Sequence, residues 1–280
     1  MSGVINKKLV QKRFSQAVGS YDQYACIQKI MAGELLRLLE AVNFAGKVEK
    51  ILEIGCGTGY FTQLIMHSLM ANKRFSSSEI LITDISSDML EVCKNKISRQ
   101  FGLNNNLYFV QMDGEKISLD KPVDLIVSNA AFQWFQDLNS ALGLLGKNLN
   151  KNGWLFFSTF GESTFQELRQ IFSSVLGDKR RPGQQFISAR ALDELMVNND
   201  FKEVKVIKDY YRQYFPRARD FFAAIKKVGA SNACTPQTGS KGYLGKKHYR
   251  DILNYYQKNY STVEGVYCTY EILYCYGRKA

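Results

Sequence analysis

The stretch ILEIGCGTG, Ile51 to Gly59, constrains the fold of this chain more than any other part. Apolar residues run directly into three glycines at alternate positions, the pattern of a buried strand that turns sharply at its carboxyl end. Further strand-like runs (SEILITDIS, NLYFVQMD, VDLIVSNAA and NGWLFFSTFG) follow as far as Phe160. Helical spacing in YFTQLIMHSLMAN, SSDMLEVCKNKISRQF and DLNSALGLLGKNL separates them. Apolar strands alternating with helices predict a parallel sheet covered on both faces, a doubly wound α/β domain.

The pattern changes after Gly161. STFQELRQIFSSVLG and SARALDELMVNN read as helices, and FKEVKVIKDYYRQYF and GVYCTYEILYCYGRK as strands, the second closing the chain. The Asn152-Gly153 pair reads as a turn that opens the strand before Phe160. Residues 214–262 read as an insertion, helical at both ends around a polar, glycine-rich loop. At the other end Val4, Ile5, Leu9, Val10 and Phe14 alternate with Lys and Gln as an amphipathic helix does, with no apolar core of signal-peptide type.

The residues around the glycine turn narrow its ligand. A dinucleotide fingerprint is G-x-G-x-x-G, whereas Gly55, Gly57 and Gly59 are spaced G-x-G-x-G and Tyr60 follows. No Gly-Lys-Ser/Thr follows either, which excludes a P-loop. Glu53 lies inside the strand, where a carboxylate repels phosphate but can hold the cationic end of an amino-acid-bearing ligand. Asp84 ends the second strand, placed to accept hydrogen bonds from two ribose hydroxyls. Asp113 follows the third, where an Asp can accept from an adenine amino group. Acids at three successive strand ends describe a phosphate-free nucleoside with a positive charge, and S-adenosylmethionine fits that description.

Bulk composition excludes several classes. No apolar run approaches a membrane span, and 45% apolar with 22% charged residues is ordinary for a globular chain with a sizeable core. The six cysteines are scattered with no CxxC pair, which argues against a zinc site or disulfide framework and suits a reducing cytosol. No metal is expected. A net charge of +11 points to an acidic partner of some kind or to a basic solvated surface.

LEIGCGTG, Asp84, Asp113 and VDLIVSNAAFQW together resemble the class I S-adenosylmethionine-dependent methyltransferases. The resemblance implies a mostly parallel seven-stranded, Rossmann-like sheet. It also implies that Glu53, Gly55 and Gly57 contact the methionine end and Asp84 the ribose. Asp113 and Gly114 would then contact the adenine, and Asn129 would sit beside the sulfonium. Enzymes that methylate exocyclic base amines usually carry Asp/Asn-Pro-Pro-aromatic after this strand; SNAAFQW has no proline there, which weakens a nucleic-acid reading of the charge.

VQKRFSQAVGSYDQYACIQ, LFFSTFGESTFQEL, FFAAIKKVGASN and VYCTYEILY narrow the resemblance to one family, the malonyl-acyl-carrier-protein O-methyltransferases of bacterial biotin synthesis. It implies a cytoplasmic enzyme that moves a methyl group to the free carboxylate of a malonyl thioester, leaving S-adenosylhomocysteine. The ester masks a charge so that the primer can be elongated towards pimelate. The expected division is a helical lid over 1–45, a cofactor-binding α/β domain over 46–213 with 263–280, and a docking insertion over 214–262. Tyr21 is expected on the lid over the cofactor, with Phe132, Trp134, Tyr210, Tyr211 and Phe222 as possible walls. Lys226 and the arginines around it are the candidate cations for the malonyl carboxylate, and the sequence does not choose between them. Lys179, Arg180, Arg181, Lys226, Lys227, Lys246 and Lys247 are expected to form a basic surface for an acidic acyl carrier protein. No general base is needed, since a carboxylate is ionised at neutral pH, and His67 and His248 offer no convincing one. The competing readings are a quinone-pathway-type small-molecule C- or O-methyltransferase and a non-catalytic assembly factor on the same fold.

Overall fold

The structure, a computed structural model, describes residues 4–44, 47–71, 78–102, 106–176, 184–229, 234–235 and 246–280. A two-residue strand β1 (Val4–Ile5) precedes helices α1 (Lys7–Tyr24) and α2 (Cys26–Ala41). The α/β core then runs β2 (Lys50–Ile54), α3 (Tyr60–Ala71), β3 (Glu79–Asp84), α4 (Ser87–Phe101), β4 (Leu107–Gln111), β5 (Val123–Asn129), α5 (Leu138–Lys147) and β6 (Leu149–Phe160). Helices α6 (Gln166–Leu176) and α7 (Ala189–Asn198) lead to β7 (Phe201–Phe215). Residues 214–262 hold α8 (Ala218–Lys227), the short strand β8 (Cys234–Thr235), α9 (Lys246–Asn259) and the short strand β9 (Ser261–Thr262) before β10 (Gly265–Lys279).

The main sheet has the order β4-β3-β2-β5-β6-β10-β7, with β9 on the margin of β10. Strands β4 to β6 are parallel, and β10 lies antiparallel between β6 and β7. Alternation along each strand divides the core. Leu125 and Val127 of β5 face one apolar cluster with α2, α3 and α4, while Ile126 between them faces the other with α5 and α7. Both faces are therefore dry, which is why the central strands read as continuous apolar runs.

The chain order reverses at β2, since β3 lies on one side of it and β5 on the other. A ligand crevice forms at such a switch point, outside the carboxyl ends of the strands. The glycine turn follows β2 at that place. Asn152-Gly153 departs from expectation: it lies inside β6, where the partners of β5 jump from Leu149 to Trp154. Asn152 takes φ 66°, so the pair forms a bulge within one strand instead of a turn before it.

Candidate active site

The glycine turn is forced by close approach on both sides. A Cβ on Gly55 would stand 2.6 Å from Ala131 Cβ, and one on Gly59 would stand 2.8 Å from Cys93 Sγ. Both residues also have positive φ, 73° and 87°, which L side chains rarely adopt. The turn thus packs backbone against the β5 end on one side and α4 on the other.

Asp84 braces the turn from β3. Its Oδ2 accepts the Gly57 N–H at 2.9 Å and its Oδ1 the Ser86 N–H at 2.8 Å. Burial nevertheless raises its carboxyl to about 6, the backbone donors opposing that rise. Glu53 lies deeper, 1% exposed, and its Oε2 has no hydrogen-bond partner among the described residues. Burial pushes its carboxyl up to about 8; the Asp84 charge adds to that and Thr62 opposes it. A buried carboxyl with an orphaned oxygen is costly unless a cationic or donor group completes it.

Asn129 ends β5 with its amide fixed at both ends. Nδ2 donates to the Gln28 carbonyl at 2.9 Å, and Oδ1 accepts from Ser158 Oγ at 2.7 Å. The next residue, Ala130, holds φ 54° and donates its N–H to Ser158. Beyond β4, Gly114 is obligatory on space: a Cβ there would come within 2.6 Å of Ile54 Cγ2 and 2.8 Å of Phe135 Cζ. Tyr21 approaches Gly57, its phenol raised by burial and by the nearby Asp84 charge.

Helices α1 and α2 cover this edge in an order that copies the sheet. Lys7 Nζ meets Asp113 Oδ1 at 3.0 Å beyond β4 and also pairs with Glu115. Ser15 Oγ reaches Ser86 Oγ at 2.9 Å beyond β3. Asp22 bonds Thr58 in the glycine turn and Lys96 of α4, and Gln28 meets Asn129 beyond β5. Four contacts spaced along the two helices therefore cross β4, β3, β2 and β5 in their spatial order. The insertion supports the same layer: Ser20 Oγ donates to the Lys227 carbonyl at 2.8 Å, and β1 pairs with β8.

A pocket remains between the lid and the turn, lined by Tyr21, Gln28, Lys29, Gly55, Gly57 and Asn129 among others. Lys226 does not line it; its side chain is exposed on α8. Sequence reasoning missed Lys7, Lys29 and Lys96. Each meets the site through tertiary contact alone, and no local spacing marks it. The acid at Asp113 is accordingly paired with Lys7.

The supposed aromatic walls separate. Phe132 is core, stacked on Phe135 and Phe157 at 4.6 and 4.3 Å. Trp134 meets Phe14 of α1 edge-on at 5.6 Å. Tyr210 and Tyr211 lie exposed on the marginal strand β7, and Phe222 packs in the insertion against Phe221 and Tyr256. None of these five lines the pocket. His67 sits against Phe101 and Gln100, and His248 is exposed at the start of α9. Lys179, Arg180 and Arg181 lie outside the described residues, as does the side chain of Lys246; Lys247 is exposed. Among the described residues no group of His, Cys, Asp or Glu is arranged to hold a metal ion, and no helix is long and apolar enough to cross a membrane.

Residues 23–206 match the family model of a methyltransferase domain. The chain is 38% identical over 283 aligned positions to a malonyl-acyl-carrier-protein O-methyltransferase of Priestia megaterium, covering 96% of this chain and 97% of that one. One of the same name from Bacillus cytotoxicus is 36% identical, over 99% of this chain and 93% of the other. This chain belongs to the malonyl-acyl-carrier-protein O-methyltransferase family. Solved structures agree on the fold at low identity. The YcgJ protein of Bacillus subtilis superposes with a TM-score of 0.58 at 14% identity, covering 88% of this chain and 97% of its own. The N-methyltransferase NodS of Bradyrhizobium japonicum, solved with S-adenosylhomocysteine, gives 0.54 at 14% identity over 96% and 98%. The two relatives therefore align along nearly the whole of this chain.

Proposed function

We propose that this protein transfers a methyl group from S-adenosylmethionine to the free carboxylate of a malonyl thioester on acyl carrier protein, in the route to the pimeloyl part of biotin. The observation that carries the cofactor half is the orphaned Glu53 Oε2, buried at the end of the strand whose glycine turn lines the pocket. A cationic amino-acid end would complete it. Glu53 with the backbone of Gly55 and Gly57 would hold that end, Asp84 the ribose, Asp113 and Gly114 the adenine, and Asn129 the neighbourhood of the sulfur. Bound there, the cofactor supplies an activated methyl group on a sulfonium and leaves as a neutral thioether.

This acceptor needs no general base. A malonyl carboxylate is already anionic, so its oxygen forms the new C–O bond without giving up a proton. What the chain must supply is position and exclusion of water. Tyr21 and the lid serve both. The carrier protein is the partner named for the relatives. The insertion and its exposed lysines, Lys226, Lys227 and Lys247, would receive it, with charge steering the encounter.

Methyl transfer from labelled S-adenosylmethionine tests the reading, with malonyl-carrier protein, malonyl-coenzyme A and free malonate offered side by side. The expected product is a base-labile ester on a malonyl thioester, with the carrier protein preferred. Cofactor binding without label on any of the three acceptors would overturn the assignment.

A further inference from the structure

Resting on the methyltransferase reading, we infer that Lys29 is the carboxylate receptor of the pocket, a role the sequence led us to seek at Lys226. Lys29 is the only lysine or arginine among the described residues lining the pocket, which Gly55, Gly57, Asn129 and the acid Asp22 also line. Its ammonium donates to the Asp22 carbonyl at 2.7 Å and lies 5.5 Å from the centroid of the Tyr60 ring. Both partners are uncharged. An ammonium has three donors, so two remain for a ligand, and a ring face attracts the cation without consuming a donor.

The other lid and near-lid lysines are spent differently. Lys7 is paired with Asp113 and Glu115, and Lys96 with Asp22. No ion pair of Lys29 with a carboxylate occurs among the described residues. The backbone bond to Asp22 instead holds the amine at the break between α1 and α2, where Ala25 interrupts the two helices. The Asp22 carboxylate, which also lines the pocket and feels the Lys29 charge, is bonded to Lys96 and Thr58, so the Lys29 ammonium, in no ion pair among the described residues, is suited to an anion brought by the ligand.

Two carboxylates can arrive there. One belongs to the amino-acid end of the cofactor, whose ammonium would face Glu53; the other belongs to the malonyl acceptor. The chemistry is shared, and ligands separate the sources. S-adenosylhomocysteine carries the amino-acid end, whereas 5′-methylthioadenosine is the same nucleoside without it.

The experiment uses the full chain with Lys29→Met, Lys29→Gln and Lys29→Arg, each first checked for an unchanged melting temperature. Lys29→Gln retains a donor for the Asp22 carbonyl if the Met variant does not fold. Calorimetric binding of both nucleosides is then compared with the apparent KM for malonyl-carrier protein. Weaker S-adenosylhomocysteine binding by tenfold or more, with 5′-methylthioadenosine unchanged and Lys29→Arg largely restored, assigns the cofactor's carboxylate. Unchanged binding of both, with KM raised tenfold or more and kcat nearly constant, assigns the acceptor's carboxylate. Equal weakening of both nucleosides would overturn the inference, because Lys29 would then be supporting the lid instead of receiving a carboxylate. Three unchanged constants would overturn it as well. Wild-type protein that bound neither nucleoside would instead refute the methyltransferase reading beneath it.

Discussion

Glu53 makes the proposed cofactor site sensitive to pH. Its folded carboxyl lies at about 8 against an ordinary 4.5, so the free protein holds this group neutral at pH 7. An acid raised on folding contributes stability that is complete below its unfolded value and lost as pH rises through its folded one. The melting temperature of the cofactor-free protein should therefore fall between about pH 5 and pH 8 relative to Glu53→Gln, which has no such group. A cationic ligand favours the carboxylate, so binding at pH 7 should release protons. Calorimetry in buffers of different ionisation heat measures that release, and an equal release by Glu53→Gln would remove Glu53 from the site. Asp84 acts through geometry as well as charge. Changing it to Ala should cost about 1.5–3 kcal/mol of cofactor affinity through lost charge-assisted bonds. It should also lower the melting temperature, since the Gly57 and Ser86 N–H groups lose their acceptor. Unchanged affinity would place the ribose elsewhere.

At the scale of elements, α1 of the proposed lid is attached mainly by polar pairs, whereas α2 buries Ile27, Met31, Leu35, Leu38 and Leu39 in the core. Only Val10 and Ala17 of α1 are fully buried. Lys7 anchors its amino end, with 17% of its side chain exposed, and makes a cation–π contact with Phe135 at 4.7 Å. Lys7→Met should loosen that end by about 1–3 kcal/mol, because the pair is mostly withdrawn from solvent and the change leaves Asp113 and Glu115 without their cation. Hydrogen exchange checks it: amides of α1 should exchange faster while those of α3 do not change. Uniform acceleration through both helices would mean that Lys7 stabilises the whole domain and no separate lid exists. The helix α1 was legible in Leu9, Val10 and Phe14, whereas Val4 and Ile5, read as part of the same helix, form the strand β1 that pairs with β8. The fastenings of α1 were not legible. Lys7 to Asp113 and Asp22 to Lys96 join residues far apart in sequence, and a lysine on an amphipathic helix carries no mark of the acid it will meet. The glycine turn was the opposite case, because Gly55 and Gly59 answer to steric demands of their own neighbourhood. The bulge at Asn152 was misread because Asn-Gly has the same local preference for positive φ in a turn and in a bulge.

Over the whole molecule, strand periodicity made the doubly wound sheet legible, while the surfaces depended on which residues the fold exposes. Charge made Lys226 and the arginines around it candidates for the malonyl carboxylate; in the structure Lys226 is exposed on α8 beside Lys227 and does not line the pocket. That position suits it to steering. The backbone of Lys227, not its side chain, receives Ser20 from the lid, so charge reversal there spares the contact. The double change Lys226→Glu and Lys227→Glu should raise the apparent KM for malonyl-carrier protein and leave S-adenosylhomocysteine affinity unaltered. Malonyl-pantetheine, the same arm without its protein, separates docking from chemistry and should show no rise. Because exposed charges are screened beyond about 8 Å at physiological ionic strength, the rise should be largest in dilute salt and shrink as salt is added. A KM that rises equally for both acceptors would return these lysines to the acceptor's own binding site. A KM unchanged for both would move carrier docking to another face of this +11 chain.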